Sequence, residues 1–418
     1  MLSKYLKRIF FPFNCTMQIL KLKSTANLTY LLGFLLYSIN LIGTISPIMS
    51  GLSFIYILVL SCFLIFYFKT FQISRKFLIF IYLFLSLYFL SYVLHTKTEY
   101  SNYKILMLII KATALLLIPC FIKNYENFFR GIFSALLIFV LYALFTSIFS
   151  IQNVSVNNRI DLGVLNSIWI SRAVLECCLI SIFILNKNWK YNVFLFLICL
   201  PTIFVSGSKG PLLAFLIVLI IYLYKISGLR TKFLYLIIFL SIIFFVAKLS
   251  KSSVWFNSDS YIVERFLSVT PESASEGIKA ESRTVVWSVS TKNYLNQDLR
   301  HILFGLGVGN ASKLFYGNYI NSRFYPHNLL LEILFEQGLL FLLFILSFGY
   351  FLIRNNKNNF SYLLIYCFLN AMFTGDIILN EFIFFYLSRN IKSNNYFENN
   401  NYGLRTKNTG SNLYLTNS

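Results

Sequence analysis

Hydrophobic residues in this chain fall into long runs rather than amphipathic stripes, and each run is bounded by Lys or Arg. Residues 232–247 are one example. Runs of about twenty apolar residues, at 1.5 Å rise per residue, cross a hydrocarbon layer of about 30 Å. Backbone groups in lipid must pair within their own segment, so such runs predict helices. The pattern predicts twelve spans, at 27–47, 51–68, 76–95, 104–122, 129–150, 165–186, 190–207, 210–226, 232–249, 327–353, 360–375 and 377–390, the last being short. The fold class expected is an all-α polytopic membrane protein of about twelve transmembrane helices.

The polar segments between runs set the topology. With the N-terminus in the cytoplasm, inner segments collect Lys4, Lys7, Arg8, Lys69, Arg75, Lys76, Lys123, Arg130, Lys187, Lys190, Arg230, Arg354 and Arg389, among others. Short outer loops hold only Lys97, Lys104, Arg159 and Lys209. This follows the positive-inside rule, with an even number of spans and both termini inside. The organisation expected is spans 1–9 within 1–249, a large outer loop at 250–326, spans 10–12 within 327–392, and a disordered cytoplasmic tail at 393–418. The loop mixes eight basic residues with six acids and is too polar to cross lipid. It also carries Trp255, Tyr261, Phe266, Val285, Trp287, Tyr294, Leu303 and Phe304, enough apolar content for a small, mostly helical cap in which 283–295 reads as an amphipathic helix.

Composition changes the picture little. The chain of 418 residues is 57% hydrophobic and 12% charged, where soluble domains run nearer a quarter charged. A formal charge of +21 would suggest nucleic acid in a soluble protein, but here the cations sit between apolar runs and set orientation, so no nucleic-acid partner is expected. None of the seven Cys falls in the large loop, which argues against a disulfide framework and a Cys-based metal site. No cleavable signal peptide is evident in residues 1–25.

Few residues carry candidate chemistry. His327 follows Pro326 where the loop meets the tenth span. Pro suits the first helical position, which would put His327 in the first turn, where the electropositive helix end favours a neutral imidazole able to act as general base. Arg172 lies inside the sixth span with Glu176 four residues on, spaced for a local ion pair. Lys111, in the fourth span, has the reach to snorkel towards an interface. Ser206–Pro211 breaks the apolar pattern at an outer turn, where Lys209 and a helix start could cradle phosphate, although the P-loop spacing is absent. Gly305–Asn310 lacks the βαβ context of a dinucleotide site and reads as close backbone approach. Glu332 and Glu336 share a helical face below His327; Glu332, Asn328 and Asp376 are candidates to orient His327 or bind a sugar hydroxyl. Arg159, Arg265, Arg283, Arg300 and Arg323 lie outside, and guanidinium groups bind phosphate oxygens bidentately.

In order along the chain, these pieces resemble the O-antigen polymerase and O-antigen ligase superfamily. Asn166–Arg172 is similar to the family's NPIWxxR-like stretch, with Ser167 where Pro is common. Ser206–Gly210 resembles its S-R-G turn, with Lys209 for Arg. Arg283–Trp287 resembles its R-xxx-W element, Phe304–Asn310 its FGxGxGN element, and His327–Glu332 with Gly338 its HNxxLxxxxxxG element. The resemblance covers roughly 166–345. It implies a metal-independent, cofactor-free inverting glycosyltransferase of the bacterial inner membrane, of the GT-C-like kind, acting at the periplasmic face on undecaprenyl-diphosphate-linked glycans. It implies catalytic roles for His327 and Arg283 and diphosphate binding by Arg172, Lys209, Arg159 and Arg265. Expected partners are the lipid-linked glycans, membrane lipid and a chain-length regulator. The favoured activity is polymerisation of repeat units. Transfer of the glycan to lipid A-core stays open, as does, in another class, a flippase for lipid-linked oligosaccharides, although flippases tend to show repeat-related halves and lack one dominant loop.

Overall fold

The computed structural model describes residues 25–226, 283–318, 326–354 and 359–389, apart from 46–52, 68–70, 72, 74, 123, 152–166, 207, 375–376 and 378–379. The expected span at 232–249, much of the large loop and the tail at 393–418 lie outside the described residues. Among those described, all regular structure is helical. The chain runs through α1 (Thr25–Ile45), α2 (Ser53–Tyr67), α3 (Arg75–Leu94), α4 (Glu99–Phe121), α5 (Tyr125–Ile151), α6 (Ser167–Phe183), α7 (Trp189–Ser206) and α8 (Lys209–Ile226). Three short helices follow, α9 (Arg283–Leu295), α10 (Leu299–Phe304) and α11 (Ser312–Tyr316). They lead to α12 (Leu329–Arg354) and α13 (Phe360–Thr374). Residues 382–389 are also helical.

Among the described residues, four helices are long and apolar enough to cross a membrane, Phe77–Leu94, Glu99–Phe121, Tyr125–Thr146 and Leu329–Tyr350, and shorter apolar helices accompany them. Their surfaces explain the missing amphipathic stripe. On α3 the inward face is aromatic (Phe77, Phe80, Phe84 and Tyr88, all buried), while the outward face carries exposed Leu78, Ile79, Tyr82, Phe89 and Leu90. A helix apolar all round, with its exposed half also apolar, is built to sit in lipid.

With lipid outside, burial of apolar area cannot by itself hold helix to helix, so shape must do more. Two devices are evident. Gly33 on α1 meets the backbone of Phe128, and Gly131 on α5 meets that of Tyr30; an added Cβ would lie 2.2 Å and 2.0 Å from those carbonyl oxygens. Small residues thus bring α1 and α5 to backbone contact. Elsewhere aromatic rings interlock: Phe80 of α3 stacks on Phe348 of α12 at 3.8 Å between centroids, and Phe84 and Tyr88 pack on Phe341.

The three short helices dock against the first part of α12. On α9, Val286, Ser290 and Tyr294 recur every four residues and are buried, so this element presents one inward face. Asp298 caps α10; the His301 amide and ring hold its carboxyl below the usual carboxylate range. After α10 the chain crosses beneath a break in α12 at Gly338 (φ 82°, ψ 176°). There the Leu306 amide donates to the Phe335 carbonyl at 2.9 Å and the Gly307 amide to that of Glu336 at 3.0 Å. Asn310 completes the dock. Its side chain is fully buried and donates to the carbonyls of Thr96 (2.8 Å) and Leu306 (3.0 Å), while Ser101 donates to its Oδ1 at 3.3 Å. Gly305–Asn310 is therefore a backbone plug between α12 and the turn joining α3 to α4. Asn310→Ala leaves the buried Leu306 carbonyl short of a donor and cuts the tie to the Thr96 carbonyl. At about 1–3 kcal/mol for a buried polar group left unsatisfied, it should lower the thermal midpoint in detergent by several degrees; an unchanged midpoint would contradict the docking role.

Candidate functional site

Charged residues concentrate inside the helical bundle, where isolated charge is costly and survives only with partners. On α4, the Lys104 ammonium is wholly buried and bonds Glu332 Oε1 at 2.5 Å and Glu336 Oε1 at 2.7 Å, both on α12. These carboxylates are four residues apart, so one helical face presents both to one ammonium. Glu332 Oε1 also accepts the Ile377 amide at 3.3 Å. Three residues on from Ile377, Asn380 accepts from Arg172 Nη1 on α6 at 2.5 Å. The Arg172 guanidinium lies 5.0 Å from the Trp169 ring centre, and the Arg172 carbonyl accepts from the Tyr366 hydroxyl at 3.0 Å. The next residue after Asn380, Glu381, pairs with Lys111 at 2.5 Å and accepts from Tyr56.

His327 stands at the entrance to α12. Its backbone is left-handed (φ 53°), and helix α12 begins two residues later. The expectation that His327 sits in the first turn is corrected here. Asn328 is the cap, its Oδ1 accepting from the amides of Leu330 at 3.0 Å and Leu331 at 3.2 Å. An Asn side chain satisfies orphan amides in a way that the preceding Pro cannot, so the helix starts after the cap. The left-handed turn then carries the His side chain off the helix rather than along it. Pro326 is itself tied down, its carbonyl accepting the Trp287 indole N–H at 2.5 Å. Arg283 opens α9 one turn before Trp287. The short helices are thereby anchored to the residue before His327.

Three further expectations are corrected. Lys104 is not a solvated outer-loop cation: α4 begins at Glu99, and two carboxylates of α12 neutralise the ammonium inside the protein. Lys111 does not reach for an interface, because the Glu381 carboxylate lies within the bundle and holds it. Glu176 is near Arg172 but takes its hydrogen bonds from the hydroxyls of Tyr37 (2.6 Å) and Tyr386 (2.7 Å), which reach it from α1 and from helical residues 382–389. Glu332 faces Lys104 and the Ile377 amide.

Lys209 opens α8 immediately after the Ser206–Ser208 turn, and Ser206 meets Ser171, the neighbour of Arg172. The end of α7 is thus packed against α6 beside Arg172. Arg159, Arg265 and Asp376 lie outside the described residues. Among the described residues, no group of three or more His, Cys, Asp and Glu side chains is placed to hold a metal ion. The residues that sequence reasoning missed are Lys104, Asn380 and Tyr37. A signal for Lys104 was present: it lies seven residues before Lys111 in an apolar run, which puts two ammonium groups on one face of one helix. Nothing in the chain singles out Asn380 or Tyr37.

Residues 194–346 match the family model described as O-antigen ligase. The matched segment runs from α7 into α12 and contains Lys209, Arg283, Asn310, His327 and Glu332. This agrees with the superfamily that the ordered motifs resemble, over a part of the chain. No curated protein matches the chain.

Proposed function

We propose that the protein is an O-antigen polymerase, a metal-independent inverting glycosyltransferase that joins undecaprenyl-diphosphate-linked repeat units at the periplasmic face of the bacterial inner membrane. One observation carries the reading beyond the family match: the Trp287 indole bonded to the Pro326 carbonyl brings the first turn of α9, which bears Arg283, to the turn that bears His327. Two elements separated by a long stretch of sequence thereby meet at one junction, which supports the assignment of roles to Arg283 and His327.

The chemistry asks for little more. An acceptor sugar hydroxyl attacks the anomeric carbon of the donor glycan while His327 takes the hydroxyl proton. The bond from the anomeric carbon to the diphosphate oxygen breaks, and the electron pair leaves with the lipid diphosphate. Arg172, Lys209 and Arg283 stabilise the charge growing on that leaving group. A single displacement inverts the anomeric centre, and no pair of carboxylates of the glycosidase kind is needed. No nucleotide sugar is available outside the inner membrane, so the energy lies in the lipid diphosphate.

Arg283→Lys tests the guanidinium. Lysine keeps the charge and loses the planar fork, so kcat should fall, by up to about 10²-fold if one donor to developing charge is lost. Full activity with purified protein would place Arg283 on a solvated surface instead.

The ligase reading has its own support, since the matched family model is described as O-antigen ligase. Deleting the gene in its host and resolving the surface polysaccharide by gel separates the two. Lipid A-core bearing one repeat unit means polymerisation is lost and ligation survives. Bare core, with full-length polymer held on the lipid carrier, means the protein is the ligase. An unchanged ladder in a strain without a redundant enzyme overturns both.

A further inference from the structure

Two of the three histidines in the chain meet away from His327. His95 follows the last residue of α3, and His301 lies on α10. Their ring centres are 6.1 Å apart and their planes are tilted by 47°. Each ring already uses one nitrogen. His95 Nδ1 lies 2.8 Å from the Ser91 carbonyl, which can only accept, so Nδ1 carries the proton. His301 Nδ1 bonds the Asp298 carboxylate, again an acceptor. In the neutral rings both Nε2 atoms therefore hold a lone pair. His95 Nε2 is buried and has no hydrogen-bond partner among the described residues.

The surroundings hold His95 in place. A Cβ added to Gly307 would lie 2.5 Å from His95 Cβ, so the glycine-rich plug packs directly on this side chain. The next residue, Thr96, is tied to the same plug through Asn310. A buried polar atom without a partner is costly, and in a native structure it marks a bound water or ion. We infer that His95 and His301 bind one late first-row divalent metal ion, Zn²⁺ or Cu²⁺, which clips α10 to the end of α3.

Three features point to such an ion. Imidazole nitrogen suits zinc and copper, whereas Mg²⁺ and Ca²⁺ take oxygen. A carbonyl or carboxylate on the other ring nitrogen is how proteins fix a ligating histidine, because it sets the tautomer and raises the basicity of the ligating nitrogen. The spacing also fits. With metal–nitrogen bonds of about 2.0–2.1 Å, an ion bridging two Nε2 atoms sets the ring centres about 5 Å apart at a tetrahedral angle and about 6.5 Å apart in line. The observed 6.1 Å falls between these limits. The His301 side chain is 28% exposed, which gives the ion an approach from solvent. Among the described residues no group of three or more His, Cys, Asp and Glu side chains is placed for a metal, so water completes the coordination. The ion ties down the plug and takes no part in glycan transfer, so the clip stands independently of the proposed function.

The test uses the full chain in detergent, stripped with EDTA and free of any polyhistidine tag. Saturating Zn²⁺ should raise the thermal midpoint by about 3 °C or more, since an ion bound by the docked state stabilises that state by mass action. Mg²⁺ should leave the midpoint unchanged. His301→Ala should abolish the Zn²⁺ shift. It leaves α10 capped, because Asp298 also accepts from the backbone amide at position 301, at 3.0 Å. His95→Gln, which keeps a donor for the Ser91 carbonyl, should abolish the shift as well, and His327→Ala should retain it. With one Cu²⁺ per chain, pulsed electron paramagnetic resonance should count two imidazoles in the wild type and one in either variant of the pair. No shift with Zn²⁺, an equal shift with Mg²⁺, a shift that survives His301→Ala, or a single imidazole on Cu²⁺ in the wild type would overturn the clip.

Discussion

Purified His327→Ala protein should lose about 10²- to 10⁴-fold in kcat, the range associated with removing a positioned general base, at normal expression and thermal stability. The structure makes this a clean test. His327 precedes the helix, so its replacement removes no helical hydrogen bond, and the Asn328 cap remains. The left-handed backbone at φ 53° is the one complication, since alanine adopts it at a cost of about 1–2 kcal/mol. His327→Asn answers it, because asparagine visits that region readily and has no basic nitrogen. Both variants should be equally inactive. An active Asn variant beside an inactive Ala variant would mean that His327 supplies backbone shape rather than a base.

Gly338→Ala should be among the most damaging additions of a single methyl group at the described residues. Its backbone, at φ 82° and ψ 176°, falls in a region almost reserved for glycine, which costs another residue about 1–3 kcal/mol by itself. The added Cβ would also lie 2.3 Å from the Leu303 carbonyl oxygen and 2.5 Å from the Gly305 nitrogen. Both are backbone atoms, so neither can swing aside. Relief requires parting α10 from α12, which breaks the Leu306–Phe335 and Gly307–Glu336 hydrogen bonds. Markedly reduced accumulation, or a thermal midpoint lower by about 10 °C or more, is expected, since a kcal/mol at this chain length is worth a few degrees. Gly349→Ala on the same helix is the control: its Cβ would meet open space, and alanine favours the helix. Equal behaviour of the two variants would contradict the docking described here.

Much of this architecture was legible because lipid imposes a simple rule. A run of apolar residues must be a helix, and the runs at 76–95, 104–122, 129–150 and 327–353 correspond to the four helices long and apolar enough to span. The glycine-rich stretch was legible as close backbone approach, and the structure supplies its partners at Phe335, Glu336 and Thr96. Pairing was much less legible. Lys104 reads as a loop cation because charge near the end of a span normally seeks water. It takes the facing carboxylates of α12, more than two hundred residues away, to keep it inside. Glu176 reads as the partner of Arg172 by spacing, yet spacing along one helix says nothing about hydroxyls arriving from two others. The register of His327 was misjudged by one motif: a Pro can open a helix, but the Asn after His327 caps it more strongly.

Glycan transfer from one lipid diphosphate to another is tested with purified wild-type protein given only polyprenyl-diphosphate-linked repeat units, with EDTA present. Products would be separated by mass and released lipid diphosphate quantified. Glycans of two or more repeats are expected, with one lipid diphosphate freed for each linkage formed and no loss of rate in EDTA. Unchanged single repeats with no lipid diphosphate released, while addition of lipid A-core also yields no product, would contradict it.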